Sequence, residues 1–300
     1  MRSEPRSILV GMGRPSSLLV GVGGAGCNAV AVSEMDRFGL ISDRDCEHHR
    51  MDVVRISPGE LDMFRSTAPH FLTKDLPVVR ALLQRIDEKD IIFIFTGLGG
   101  ETGSHAAPVL ANISRRHAKL VVSIVCTPFS VEGRDRHKHA SEGLTKLSLT
   151  SDICVVLNND GLAKAAPQMQ FRKAFRVMDQ VMNFVPNEMH QTLTKESMAE
   201  IKEHFRDCRQ CRLGVGMGQG VFADRTALQE AFESPWFDTK LEDVPSCLAL
   251  IATGNGQEYL IEPILKDLSN RVPSASVLYA VRSDPAMGDR VQVTILIGMK

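Results

Sequence analysis

Apolar positions along the chain follow two rhythms. Short runs of β-branched and aliphatic residues alternate with longer stretches in which apolar residues return at helical spacing, the pattern of strands buried on both faces between amphipathic helices. The runs SLLVGV (17–22), DVVRI (52–56), IIFIF (91–95), KLVVSIVC (119–126) and DICVVL (152–157) predict strands. Their alternation with helix-period segments predicts α/β layers around a mostly parallel sheet. A helical segment is expected from about Phe171 to Leu193, with Pro186 placed to kink or divide it. Beyond it, CRLGVGMG, CLALIAT, SVLYAVRS and RVQVTILIG predict further strands, with helices near 225–233 and 257–270. The expected organisation is an α/β domain over 1–170, a central helix over 171–194 and a smaller α+β domain over 195–300, whose own sheet begins near Cys208.

Composition narrows the class. A chain of 300 residues with 43% apolar content can bury a sizeable core. With a net charge of −1 and no long basic run, nucleic acid is not an expected partner. Runs such as IIFIF and LVVSIVC are too short to span a bilayer, so no direct membrane insertion is expected. The N-terminal stretch MRSEPRSILVGMGRPSS lacks the continuous apolar core of a signal peptide. The cysteines, seven in number, do not suggest a disulfide framework. A cytoplasmic protein is the expectation.

Candidate chemistry sits at the strand ends. GVGGAGCNAV (21–30) follows the first predicted strand and opens a helix, and its Gly21, Gly23 and Gly26 fit G-x-G-x-x-G. Alone, that spacing suggests a dinucleotide site with Asp43 or Asp45 on the ribose. A second glycine-rich turn, GLGGETGSHAAP (97–108), follows another strand. A nucleoside triphosphate gripped from two sides needs both cradles, whereas a dinucleotide does not. The second turn carries Glu101 and His105, unusual beside phosphate. Glu101 is expected either to point out of the loop or to face the nucleotide through Mg²⁺, with protonated His105 offsetting its charge. In TPFSVEGRDR (127–136), Glu132 suits sugar hydroxyls, and Arg136 four residues on suits an i,i+4 ion pair. LNND (157–160) ends the fifth predicted strand, where α/β sheets place ligand contacts. Phe175 and Asp179 share one helix face, offering a ring to stack on a base and a carboxylate to accept from guanine's N1–H and 2-amino group.

In this order the motifs resemble the tubulin/FtsZ family of GTPases, over nearly the whole chain and most specifically in GVGGAGCNAV, GGETGSHAAP, PFSVEGRDR and NND. The resemblance implies a Rossmann-like GTP-binding domain that binds GTP or GDP with Mg²⁺ held through the phosphates. It implies that Gly23, Gly24, Gly100, Glu101, Thr102 and Gly103 lie at the phosphates and that Glu132 and Arg136 lie at the ribose. Asn28, Asn159, Phe175 and Asp179 would then meet the guanine. It further implies head-to-tail association with a second copy, a filament or smaller homo-oligomer, with GTP hydrolysed at the junction by a loop of the neighbouring subunit.

The sequence departs from the family pattern at several points. The junction loop, patterned N-x-D-x-x-D in the family, is KESMAEI (195–201) here: Ser197 falls on the first acidic position and Glu200 keeps a carboxylate at the second. Glu200 is therefore the expected catalytic residue. VRISPGE (54–60) replaces an N-T-D-type loop. The sequence ends at Lys300 directly after a strand, without the tail by which division proteins reach membrane tethers, which weakens the expectation of a division role. Cys208 and Cys211 in CRQC, near His204, with Cys46, His48 and His49, form a weak metal motif, and no metal is expected on protein ligands. Beside a slow assembly-dependent GTPase stand two other readings: a GTP-binding assembly protein with little hydrolysis, favoured by Ser197, and a nicotinamide-dependent oxidoreductase, disfavoured by the second cradle and the Phe175/Asp179 pair.

Overall fold

The computed structural model describes residues 4–8, 13–42, 51–66, 76–237, 241 and 244–300. Asp43, Asp45, Cys46, His48 and His49 lie outside the described residues. The chain forms two compact units, Pro15–Pro186 and Asn187–Lys300 joined by Met1–Arg14.

In the first unit the strands are β2 (Ser17–Val22), β3 (Arg37–Ser42), β4 (Val53–Ile56), β5 (Ile91–Gly97), β6 (Leu120–Thr127) and β7 (Ile153–Asn158). They pair in the order β7-β6-β5-β2-β3-β4, every pair parallel. Both faces are covered: Leu18, Val20 and Ile92 pack into one core while Leu19, Phe93 and Phe95 are fully buried as well. That double burial is why these strands read as unbroken apolar runs. β3 was not expected. Its RFGLIS carries Gly39 and polar ends, and it is held as a strand by pairing with β2 and β4 rather than by its own propensity. The helices are α1 (Gly23–Ala31), α2 (Pro58–Ser66), α3 (Pro77–Ile86), α4 (Glu101–Ser114), α5 (Arg134–Thr150), α6 (Asn159–Ala165) and α7 (Phe171–Met182).

The predicted central helix is divided, but not at Pro186. α7 ends at Asn183, whose backbone N–H turns back to the carbonyls of Gln180 and Val181, and α8 (Phe184–Thr192) starts at the next residue. Pro186 falls in the first turn of α8, where its missing N–H has no intrahelical acceptor to lose. The two compact units meet in the chain between Pro186 and Asn187, inside α8.

The second unit contains α9 (Ser197–His204), β8 (Gln210–Gln219), α10 (Ala223–Phe232), β9 (Ser246–Thr253), α11 (Ile261–Arg271), β10 (Ser276–Ser283) and β11 (Arg290–Met299), with β1 (Arg6–Ser7) from the N-terminal segment. Its sheet is mixed: β11 lies antiparallel between β8 and β9, β9 pairs parallel with β10, and β1 pairs parallel with β10. The alternating glycines of β8 admit α10 at backbone contact. A Cβ on Gly214, Gly216 or Gly218 would lie 2.3, 2.0 or 1.8 Å from the carbonyl oxygens of Ala231, Ala227 and Ala223. No helix among the described residues is long and apolar enough to cross a membrane.

Candidate functional site

Because β2, β5, β6 and β7 run parallel, their carboxyl ends open onto one edge of the sheet, and the helices that follow begin there. α1 starts at Gly23 directly after β2, and α4 starts at Glu101 with Gly100 as its N-cap. First-turn N–H groups have no intrahelical acceptor, and the positive ends of two helix dipoles favour an anion at this edge. The two turns touch. Gly23 has φ +72°, a conformation that favours glycine, and a Cβ there would meet Gly103 N at 3.4 Å and the Thr102 Cβ at 3.5 Å. The edge holds a cleft of about 220 Å³ lined by Gly23, Gly24, Gly100, Glu101, Thr102, Gly103, Glu132, Arg136, Asn159 and Phe175, among others. The sequence-predicted residues of both turns, of 127–136 and of NND are thus brought together.

Each polar group in the cleft has a distinct status. Asn159 opens α6 and is only 3% exposed, yet its Oδ1 has no hydrogen-bond partner among the described residues. Its neighbour Asn158 is the cap of α6, accepting from the Asp160 N–H at 3.0 Å. A buried amide oxygen without a donor costs about 1–3 kcal/mol unless something fills the site. Phe175 is 49% exposed, with its ring edge against Phe129 at a centroid distance of 5.7 Å, so it is not a core residue. Glu132 accepts from the Phe129 N–H at 2.7 Å and pairs with Arg136, so the i,i+4 ion pair forms on the cleft wall.

Glu101 has a partner that the sequence does not announce. Its Oε2 lies 2.7 Å from Nη2 of Arg65, near the end of α2, whose Nη1 also reaches Asp62 at 3.0 Å. The expectation that protonated His105 offsets Glu101 is corrected. Burial, followed by Arg65, Lys146 and His139, holds the His105 ring below its usual pKa despite Glu101, so the neutral form is favoured at pH 7. Ser57 and Glu60 in the divergent 54–60 segment are occupied structurally. Ser57 N and Oγ donate to Glu60 Oε2 at 2.8 and 2.7 Å, closing the start of α2, while Glu60 Oε1 accepts from Val78 N.

Asn28 and Asp179 are not in the cleft lining. They lie on adjoining helices, α1 and α7, tied by Asn183, whose Nδ2 donates at 2.7 Å to the carbonyls of both Ala29 and Asp179. Burial pushes the Asp179 carboxyl up to about 6. Its charge is also felt at the cleft: the Cys126 thiol in the lining is pushed up to about 12 by burial, then by Asp179 and Glu132. Asn183, Cys126 and Arg65 were missed in the sequence. Only Asn183, four residues beyond Asp179 on the same helix face, left a signal.

In the second unit, Ser197 is fully buried at the start of α9; its Oγ donates to the Thr194 carbonyl at 2.7 Å and accepts from Thr194 N at 3.2 Å. Glu200 stands in the first turn of the same helix, partly exposed. Cys208 and Cys211 are not in a disulfide, and the His204 ring nitrogen Nε2 is 3.1 Å from the Cys247 carbonyl oxygen. No group of three or more His, Cys, Asp or Glu side chains suited to a metal occurs among the described residues.

Comparisons with known proteins point to one family. Residues 64–167, which include the second glycine-rich turn and Glu132, Arg136 and Asn159, match the family described as Tubulin/FtsZ family, GTPase domain. The chain is similar to Cell division protein FtsZ 1 of Pyrococcus horikoshii, 25% identical over 93% of this chain and 79% of that protein. It is 29% identical to Cell division protein FtsZ 1 of Methanocaldococcus jannaschii over 71% of this chain and 60% of the relative. Its fold is similar to that of an empty FtsZ dimer from M. jannaschii, with a TM-score of 0.79 at 23% identity, covering 96% of this chain and 89% of the other. A GTPγS-bound protofilament of CetZ2 from Haloferax volcanii gives a TM-score of 0.78 at 17% identity over 94% and 92% of the two chains. The matched segment runs through the cleft and FtsZ relatives align over most of the chain, so in sequence and in fold the chain is similar to the tubulin/FtsZ family.

Proposed function

We propose that this protein binds GTP in the cleft and assembles head to tail with copies of itself, and that hydrolysis is completed at the junction by Glu200 of the neighbouring subunit. The observation that carries the nucleotide reading is the Asn159 Oδ1, buried at the cleft without a donor. Guanine would supply one, with Phe175 stacking on the base and Asp179 and Asn28 completing its recognition. Gly23, Gly24, Gly100, Thr102 and Gly103 would cradle the phosphates through backbone N–H groups, and Glu132 and Arg136 would meet the ribose. The space beside Gly100 supports the fit, since a Cβ there would find nothing within 4 Å. Mg²⁺, held through the phosphates, would neutralise charge that builds up during transfer. A bare carboxylate at Glu101 would oppose this: at ~6 Å and an effective dielectric of ~20, each like-charge pair costs roughly 3 kcal/mol. Its ion pair with Arg65 offsets that repulsion.

Self-assembly is supported by the solved structures of similar fold, described as an FtsZ dimer and a CetZ2 protofilament. For hydrolysis, Glu200 would orient or polarise the attacking water. A second reading, assembly with little turnover, is favoured by Ser197, which supplies no acid and whose hydroxyl is bonded to Thr194. Light scattering and phosphate release, followed together with GTP, GDP, ATP and no nucleotide, test both. Scattering and phosphate release with GTP alone support the first reading. Scattering without release supports the second, and no response to GTP contradicts both.

A further inference from the structure

The ion pair between Arg65 and Glu101 has a position that an ordinary surface pair does not. Glu101 lines the cleft as the first residue of α4, beside Gly100, Thr102 and Gly103. It belongs to the glycine-rich turn proposed above to cradle the phosphates. Arg65 reaches it from α2, and its guanidinium bridges two carboxylates, Nη1 to Asp62 at 3.0 Å and Nη2 to Glu101 at 2.7 Å. The side chains of Arg65 and Glu101 are 34% and 36% exposed, so an incoming anion can reach the pair. A guanidinium carries more N–H donors than these two contacts occupy, and its planar fork suits a phosphate as well as a carboxylate. The Arg65 charge also acts on the first turns of α4: it is the largest charge effect holding down the pKa of His105, after burial.

We propose that Arg65 distinguishes the triphosphate from the diphosphate: Glu101 holds its guanidinium at the rim of the phosphate turn, where it contacts the terminal phosphate of GTP and nothing equivalent in GDP. The carboxylate that looks misplaced in a phosphate cradle then has a positioning role, since it brings in a cation from another helix. The inference rests on the nucleotide reading above and adds to it the residue that separates GTP from GDP.

The test is calorimetric titration of the full chain with GTP and with GDP, both with Mg²⁺, for the unsubstituted protein, Arg65→Gln and Arg65→Lys. Arg65→Gln is expected to weaken GTP about tenfold while GDP stays within about twofold, so the preference for GTP falls by nearly the same factor. Arg65→Lys, which keeps the charge and loses the fork, should retain part of that preference. An unchanged GTP-to-GDP ratio in Arg65→Gln overturns the proposal while leaving the nucleotide reading intact. A parallel loss of both nucleotides together with a lowered melting temperature also overturns it, by making Arg65 structural. Binding of neither nucleotide to the unsubstituted protein removes the nucleotide reading and this proposal together.

Discussion

The cleft of the first unit and the 195–201 segment of the second treat buried polar side chains in opposite ways. In the cleft, Asn159 is buried with its amide oxygen lacking a partner and Phe175 is an exposed aromatic ring, while outside the lining burial raises the Asp179 carboxyl to about 6. At 195–201, the buried Ser197 makes its hydrogen bonds within one turn, to Thr194. A buried polar group that lacks a partner calls for an explanation, and at the wall of a cleft a ligand can supply one. A buried group that has its partners is part of the scaffold. Asn159 thus supports the ligand proposed for the cleft, and in the 195–201 segment the remaining candidate for the proposed chemistry is Glu200 rather than Ser197.

The largest effect is expected at Glu200. Glu200→Ala should lower phosphate release by about 10²-fold or more while light scattering still reports assembly, because a positioned acid or base contributes roughly 10²–10⁴-fold. In the unsubstituted protein, activity per subunit should rise with protein concentration, as the proposed shared site requires. Activity that is constant across dilution breaks the proposed division of labour between cleft and junction loop.

Next comes Asp179. Asp179→Ala should weaken GTP binding by about 1.5–3 kcal/mol, measured by calorimetry, and leave ATP binding little changed. Guanine's donors need the carboxylate, so GTP affinity should fall as pH drops through about 6, and Asp179→Asn should remove that dependence. The sign for the unliganded protein is opposite. A carboxyl with a raised folded-state pKa stabilises the fold fully below its ordinary value of 3.8 and loses that contribution as pH rises through about 6.

The smallest effect sharpens the scaffold side of the comparison. Ser197→Ala should lower stability by about 1–2 kcal/mol in denaturant titration, through loss of the Thr194 hydrogen bonds at a buried site. Ser197→Asp, which restores the family's acid, should lower the melting temperature further rather than restore catalysis, because it buries a carboxylate. A stable Ser197→Asp with raised turnover would show that the segment is catalytic at both positions.

Much of this was legible in the sequence because the informative signals were local. Strands covered on both faces leave unbroken apolar runs, and glycine-rich turns sit directly at their ends, so β2, β5, β6, β7 and the residues of both turns were readable. β3 was not, because RFGLIS is a strand through its neighbours on either side. The division of the 171–194 helix fell at Asn183 because a proline in a first turn costs no hydrogen bond, which no count of prolines reveals. Arg65 was invisible for another reason. Its tie to Glu101 joins residues far apart in sequence, and neither side chain signals the other. The metal motif CRQC was legible as a spacing but had no third ligand among the described residues.

The central claim is that the cleft recognises guanine. Calorimetric titration of the unsubstituted protein with GTP and with ATP, at pH 7 and with Mg²⁺, tests it most directly. The account predicts that GTP binds at least about tenfold tighter, the worth of one charge-assisted contact to the base edge. Equal affinities for the two nucleotides would contradict it.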